Sequence, residues 1–109
     1  MEFGNLQMYI DGDLKSSVDN FTKDIYSPLN GEKIASLAWA NQKDSLVALE
    51  SASKGFEFWS KLTLNKRIEW MSKFREKILE NEVLLRKAIS YEMGKPYSAT
   101  AEDIESITN

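Results

Sequence analysis

Apolar and polar positions along this chain change their period once, near residue 40. Before that point, apolar residues come in short runs separated by turn residues. Met8-Tyr9-Ile10 is followed by Asp11-Gly12-Asp13, and Leu14 resumes the apolar side, which predicts a strand, a turn and a return. Ser16 to Asn20 is polar and loop-like. Phe21 to Ser27 predicts a second strand built on Phe21, Ile25 and Tyr26, and it stops at Pro28, which cannot donate to a ladder. Leu29-Asn30-Gly31-Glu32 is the strongest turn signal, because Asn-Gly tolerates the positive φ values of a two-residue hairpin turn. Lys33 to Ala38 then alternates around Ile34 and Leu37. Residues 1–40 therefore predict a short β-meander at the surface.

From residue 41 the period is helical. Asn41 can cap a helix, and Asp44 stands where a capping box places its acidic partner. Leu46, Leu49, Ala52, Ser53 and Phe56 follow at spacings of three and four and continue into Phe58-Trp59, which predicts one buried stripe. Thr63 can cap a second helix, in which Leu64, Ile68, Met71, Phe74 and Ile78 form the apolar line. Lys66, Arg67, Glu69, Lys73, Glu76 and Lys77 cover much of its remaining surface. Asn81 marks a third start, and Gly94 is expected as its left-handed stop, with Pro96 just beyond. A last helix is expected from about Ser98, with Ala99, Ala101, Ile104 and Ile107 available for burial.

Composition narrows the chemistry. The 109 residues carry 14 Lys+Arg against 17 Asp+Glu, a net charge of −3, so overall charge does not favour nucleic acid or an anionic membrane surface. The chain has no Cys and no His. That removes thiolate nucleophiles, Cys-ligated metals, and Ser-His or Cys-His catalysis from its own repertoire. Carboxylates, Lys, Tyr and hydroxyls remain. Within Glu92-Met93-Gly94-Lys95-Pro96, Glu92 and Lys95 could form an acid–base pair. A helix end with a Gly stop, a Lys near the negative dipole end and a following Pro explains the same five residues without chemistry. The interspersed charges of residues 66–87 read as a solvated helix face, and Trp39, Trp59 and Trp70 as packing residues.

The order of these motifs resembles the N-terminal segment of the NAD(P)-dependent aldehyde dehydrogenase superfamily. The matching pieces are Met8-Tyr9-Ile10-Asp11-Gly12 and Ser27-Pro28-Leu29-Asn30-Gly31-Glu32-Lys33-Ile34-Ala35. They continue with Phe56-Glu57-Phe58-Trp59, Leu62-Thr63, Arg67 and Glu92-Met93-Gly94-Lys95-Pro96. Ser27 departs from the Asn that the family usually carries before Pro, and Glu102 and Asp103 bracket its usual acidic position.

The resemblance implies an α/β aldehyde dehydrogenase fold with a Rossmann-like cofactor domain. Residues 1–109 would be the N-terminal part of that domain, with strands and turns over 1–40 and three to four helices over 41–109. The segment would stop short of the Rossmann-like sheet and the catalytic domain. In such enzymes a cysteine thiolate attacks an aldehyde, hydride passes to NAD or NADP, and water releases the carboxylic acid from a thioester. All of those groups lie downstream in the family, so this chain alone is expected to be an inactive scaffold. The resemblance also implies a semialdehyde-oxidising branch, a cytoplasmic homodimer or homotetramer, and no nucleic-acid or membrane partner. A monovalent cation site is implied at the carbonyls of Ile25 and Tyr26 and the carboxylate of Glu92. The competing expectation is a self-contained helical interaction module.

Overall fold

The computed structural model describes residues 2–109. Five short strands precede four α-helices: β1 Asn5–Leu6, β2 Met8–Ile10, β3 Asp13–Lys15, β4 Thr22–Tyr26 and β5 Lys33–Ala38. They are followed by α1 Gln42–Ser60, α2 Leu64–Glu80, α3 Glu82–Met93, a 3-10 turn at Tyr97–Thr100 and α4 Ala101–Thr108. The chain divides into two units, one of residues 1–25 and 33–62, the other of residues 26–32 and 63–109.

In the first unit the strands do not form a single meander. β5 is central, with β4 on one side and β1 on the other, while β2 and β3 form a separate sheet. β1 runs parallel to β5, pairing Asn5 with Ser36 and Leu6 with Leu37. Phe3 N and Ser36 N extend this ladder by donating to the carbonyls of Ile34 and Gly4. The β2–β3 hairpin matches expectation. Asp11 and Gly12 have φ values of 56° and 82°, the two positive angles of a type I′ turn, and Ile10 pairs with Asp13 across it. Ile34 and Ala35 of β5 are buried, which makes the central strand the core of this unit.

α1 begins where its capping residues place it. Asn41 Oδ1 accepts from Asp44 N at 3.0 Å, and Asp44 Oδ2 accepts from Asn41 N at 2.9 Å. Asp44 also accepts from Val18 N at 3.0 Å, so one buried carboxylate joins the helix start to the loop after β3. The apolar stripe of α1 is a different matter. Leu46, Leu49, Phe56 and Phe58 are exposed, against the burial that their spacing predicts. Helical period reports which side chains share a face, not whether anything in the same chain covers that face.

At the β4–β5 edge, Asp24 accepts from Ser36 Oγ at 2.6 Å and pairs with Lys33 Nζ at 3.0 Å. The Ser36 hydroxyl first, and Lys33 after it, hold the Asp24 carboxyl below its ordinary value. A depressed carboxyl contributes stability above its unfolded titration range and loses it as pH falls through the folded value. Ser36→Ala is expected to move the Asp24 midpoint upward in a carboxyl-resolved NMR titration. An unchanged midpoint would remove the hydroxyl as the main cause.

The second unit is helical. Thr63 Oγ1 accepts from Lys66 N at 3.3 Å and starts α2. A single residue, Asn81, then separates α2 from α3, and its side chain donates back to Lys77 O at 2.8 Å rather than capping α3. α4 packs on α2, α3 and the 3-10 turn. Ile78 of α2 and Ile104 of α4 are buried, whereas Leu64, Ile68, Met71 and Phe74 of α2 are exposed.

Candidate functional site

The densest polar arrangement in the second unit lies where the 26–32 loop meets the end of α3. The loop is wider than the two-residue turn that Asn30-Gly31 predicts. Ser27 N donates to Glu32 O and Gly31 N to Ser27 O, both at 2.8 Å, and Asn30 Oδ1 accepts from Glu32 N at 3.0 Å. Only Gly31 takes a positive φ, since Asn30 instead spends its side chain on the backbone two residues on.

Ser27 ties this loop to α3. Its side chain is buried, its Oγ donates to Tyr91 O at 2.5 Å, and the same oxygen accepts from Leu29 N at 3.2 Å. One hydroxyl thus satisfies a late carbonyl of α3 and organises the turn that follows Ser27. Gly94 ends the helix as its sequence predicts, with φ 73°, and its N–H donates to Ser90 O at 2.9 Å. Ser90 Oγ donates to Lys95 O at 2.7 Å and closes the turn.

Gly94 is required here for two reasons. Its backbone is left-handed, and a Cβ at this position would stand 3.1 Å from Pro28 Cγ. Gly94→Ala is expected to cost more than the ~1–2 kcal/mol of the left-handed angle alone. Gly31→Ala is the control, because Gly31 has the same φ of 73° and open space around it. Equal losses at the two positions in urea denaturation would show that the Pro28 approach carries no energy. Ser27→Ala is expected to cost ~1–3 kcal/mol, the penalty for leaving the part-buried Tyr91 carbonyl without its donor and the Leu29 amide without its acceptor. Thermal unfolding indistinguishable from the parent chain would refute that assignment.

Of the residues that the resemblance nominates, Tyr26 and Glu92 belong to this unit and Ile25 to the other. Ile25 is half-buried and Tyr26 exposed at the end of β4, and Glu92 is exposed in α3. Ser27 brings the backbone next to Tyr26 against Tyr91, the neighbour of Glu92. Lys95 turns elsewhere. Its ammonium pairs with Asp103 at 2.8 Å, so the acid–base pair with Glu92 is not formed. Among the described residues no group of three His, Cys, Asp or Glu side chains is placed to hold a metal ion.

The sequence pattern missed one organising residue. Arg86 stands in the run assigned to a solvated face, yet its side chain is mostly covered. Its Nε donates to Thr100 Oγ1 at 3.0 Å and one terminal nitrogen donates to Tyr97 O at 3.1 Å. The guanidinium also lies 4.3 Å from the centre of the Tyr97 ring and 3.4 Å from Glu82. Thr100, fully buried, donates in turn to Tyr97 O at 2.7 Å. Arg86 therefore fastens the 3-10 turn to α3, and the clue in the sequence was the Tyr-x-x-Thr that its planar fork can reach.

This framework is shared with known proteins. The aldehyde dehydrogenase family model matches residues 15–109. Malonate-semialdehyde dehydrogenase 2 of Oceanobacillus iheyensis is 29% identical over 93% of this chain and 21% of its own length. The D-glyceraldehyde dehydrogenase (NADP(+)) of Thermoplasma acidophilum is 30% identical over 93% of this chain and 20% of its own. In structure, betaine aldehyde dehydrogenase of Staphylococcus aureus in complex with NAD+ superposes with a TM-score of 0.87 at 28% identity. That match covers 94% of this chain and 21% of the other. The chain thus spans about a fifth of the length of the curated relatives it matches. With the family model running from the β3 end to the last residue, and the strand-then-helix order reproduced in a solved member, the chain belongs to the aldehyde dehydrogenase family.

Proposed function

We propose that this chain is a scaffold segment of an NAD(P)-dependent oxidoreductase that converts an aldehyde, of the semialdehyde class, to a carboxylic acid. The match to the family over residues 15–109 carries this reading. Relatives named for malonate semialdehyde and for succinate semialdehyde support the substrate class.

The chain's own residues do not fit the dinucleotide. A pyrophosphate is held by free N–H groups at a glycine-rich helix start. Here the start of α1 is taken by Asn41 and Asp44 and that of α2 by Thr63, and none of the four helices is immediately preceded by a glycine, α3 following Asn81 and α4 Thr100. NAD or NADP in this reading is bound by other parts of the enzyme. The contribution of this segment is positional. Ser27, Gly94 and Arg86 fix the loop, the end of α3 and the 3-10 turn as one piece. A monovalent cation at the Tyr26 carbonyl and the Glu92 carboxylate belongs to the same proposal, and potassium titration of the chimera below tests it.

The test is a chimera in which this chain replaces the matched segment of the Oceanobacillus malonate-semialdehyde dehydrogenase. It is expected to reduce NAD or NADP with at least one semialdehyde of a panel, while the 109 residues alone reduce neither. A chimera that unfolds cooperatively but turns over no aldehyde would sink the reading.

A further inference from the structure

Asn30 and Gly31 turn the loop that Ser27 ties to α3, and the same pair is chemically labile. Leu, Phe, Gln, Lys and Glu follow Asn5, Asn20, Asn41, Asn65 and Asn81, whereas glycine follows Asn30. A glycine nitrogen swings most easily onto the preceding side-chain carbonyl carbon, because no Cβ stands in its way. Once hydroxide removes its proton, Gly31 N forms a bond to Asn30 Cγ. The Cγ–Nδ2 bond breaks, and ammonia leaves after taking a proton from water. Water then opens the resulting cyclic imide at either carbonyl. One opening gives aspartate in a normal chain, the other isoaspartate with an extra methylene in the backbone.

Exposure favours this reaction and hydrogen bonding opposes it. Asn30, Gly31 and Glu32 are exposed, and nothing lies within 4 Å of the place a Gly31 Cβ would take, so water and hydroxide reach the site. Each moving part is nonetheless held. Gly31 N donates to Ser27 O at 2.8 Å, which engages the proton that must leave. Asn30 Nδ2 donates to Glu32 Oε2 and Asn30 Oδ1 accepts from Glu32 N, both at 3.0 Å, so the carboxamide is pinned at both ends. Behind them Ser27 N donates to Glu32 O and Ser27 Oγ to Tyr91 O, which fixes the loop on α3. We propose that Asn30 is a deamidation site latched by Glu32 and Ser27: the closed loop preserves the amide, and opening it commits Asn30 to conversion. The product does not rebuild the latch. Aspartate here sets an oxygen against the Glu32 carboxylate where Nδ2 now donates, and isoaspartate lengthens a loop whose ends meet through a 2.8 Å bond. Conversion is therefore a one-way record of loop opening.

The experiment incubates the 109-residue chain at mildly alkaline pH, with and without concentrated urea. The peptide spanning Asn30 is followed by mass spectrometry and by enzymatic methylation of isoaspartate. In the folded chain the reaction passes through local opening, so it is expected to run about tenfold or more slower than in urea. Glu32→Ala removes the acceptor of Nδ2 and is expected to raise the folded rate about threefold. Its thermal midpoint should not move, because the Glu32 side chain is exposed. Glu32→Gln keeps an acceptor oxygen and should convert at the parent's rate. In urea all three chains should convert alike, which separates the latch from any effect of residue 32 on the chemistry itself. Equal rates for the parent with and without urea overturn the proposal. A Glu32→Ala chain that converts no faster than its parent overturns it as well.

Discussion

Ile104→Ala is expected to destabilise the helical unit by ~2–5 kcal/mol, the range for removing a fully packed branched side chain and leaving a cavity. Ile104 is 3% exposed in α4, the helix that packs on α2, α3 and the 3-10 turn together. The neighbours are held from several directions. Arg86 fixes the 3-10 turn, and Arg75 Nε donates to Thr108 O at 2.6 Å near the end of α4. That limits how far the unit can collapse into the space vacated. Ile107, three residues on, is 58% exposed, and Ile107→Ala should stay within ~0.5 kcal/mol of the parent chain. Urea unfolding followed by far-ultraviolet circular dichroism checks both. A loss below ~1 kcal/mol at Ile104 would mean that α4 is not docked as described.

The second large effect is expected at Asp44, in the other unit. Its carboxylate accepts from Val18 N and Asn41 N while its own N–H is taken by the Asn41 side chain. Asp44→Ala leaves two backbone donors without their acceptor, at a site where the residue is only 4% exposed. The combined loss of cap and satisfied donors is ~2–4 kcal/mol. Asp44→Asn keeps an acceptor oxygen for one of the two and should lose markedly less. Amide hydrogen exchange locates the effect, because Val18 and Asn41 should both accelerate in the alanine variant. Acceleration at Asn41 alone would show that the bond to the post-β3 loop contributes nothing.

Much of this was readable from residue order because it depends on neighbours in the chain. The Asn41–Asp44 box, the Thr63 cap, the Asp11-Gly12 turn and the Gly94 stop are all local, and each appears where its chemistry places it. What escaped is long-range. The pairing of β1 with β5 joins residues 31 positions apart in sequence, Asn5 with Ser36, and no two-residue period announces it. The Ser27–Tyr91 bond spans 64 positions. Arg86 looked like one more surface cation, because composition cannot show that Tyr97 and Thr100 fold back within reach of its fork. The apolar line of α1 was legible as a line, but its burial needs atoms that Leu46 and Leu49 do not find in this unit. The Ser27 hydroxyl that ties the 26–32 loop to α3 stands at the position where this chain departs from the Asn usual in the family it resembles, so the residue pattern alone did not announce it.

The parallel pairing of β1 with β5 also sets an order in time. The β2–β3 hairpin closes over two residues, so it can form early at little entropic cost. β1 is made first on the ribosome, yet its partner is β5, which emerges only after the whole β2–β4 stretch. Until then the amides and carbonyls of Asn5 and Leu6 lack the strand that will take them. Among the described strands the first in sequence thus waits for the last, and closing the intervening loop is a cost that the propensity of β1 itself does not offset.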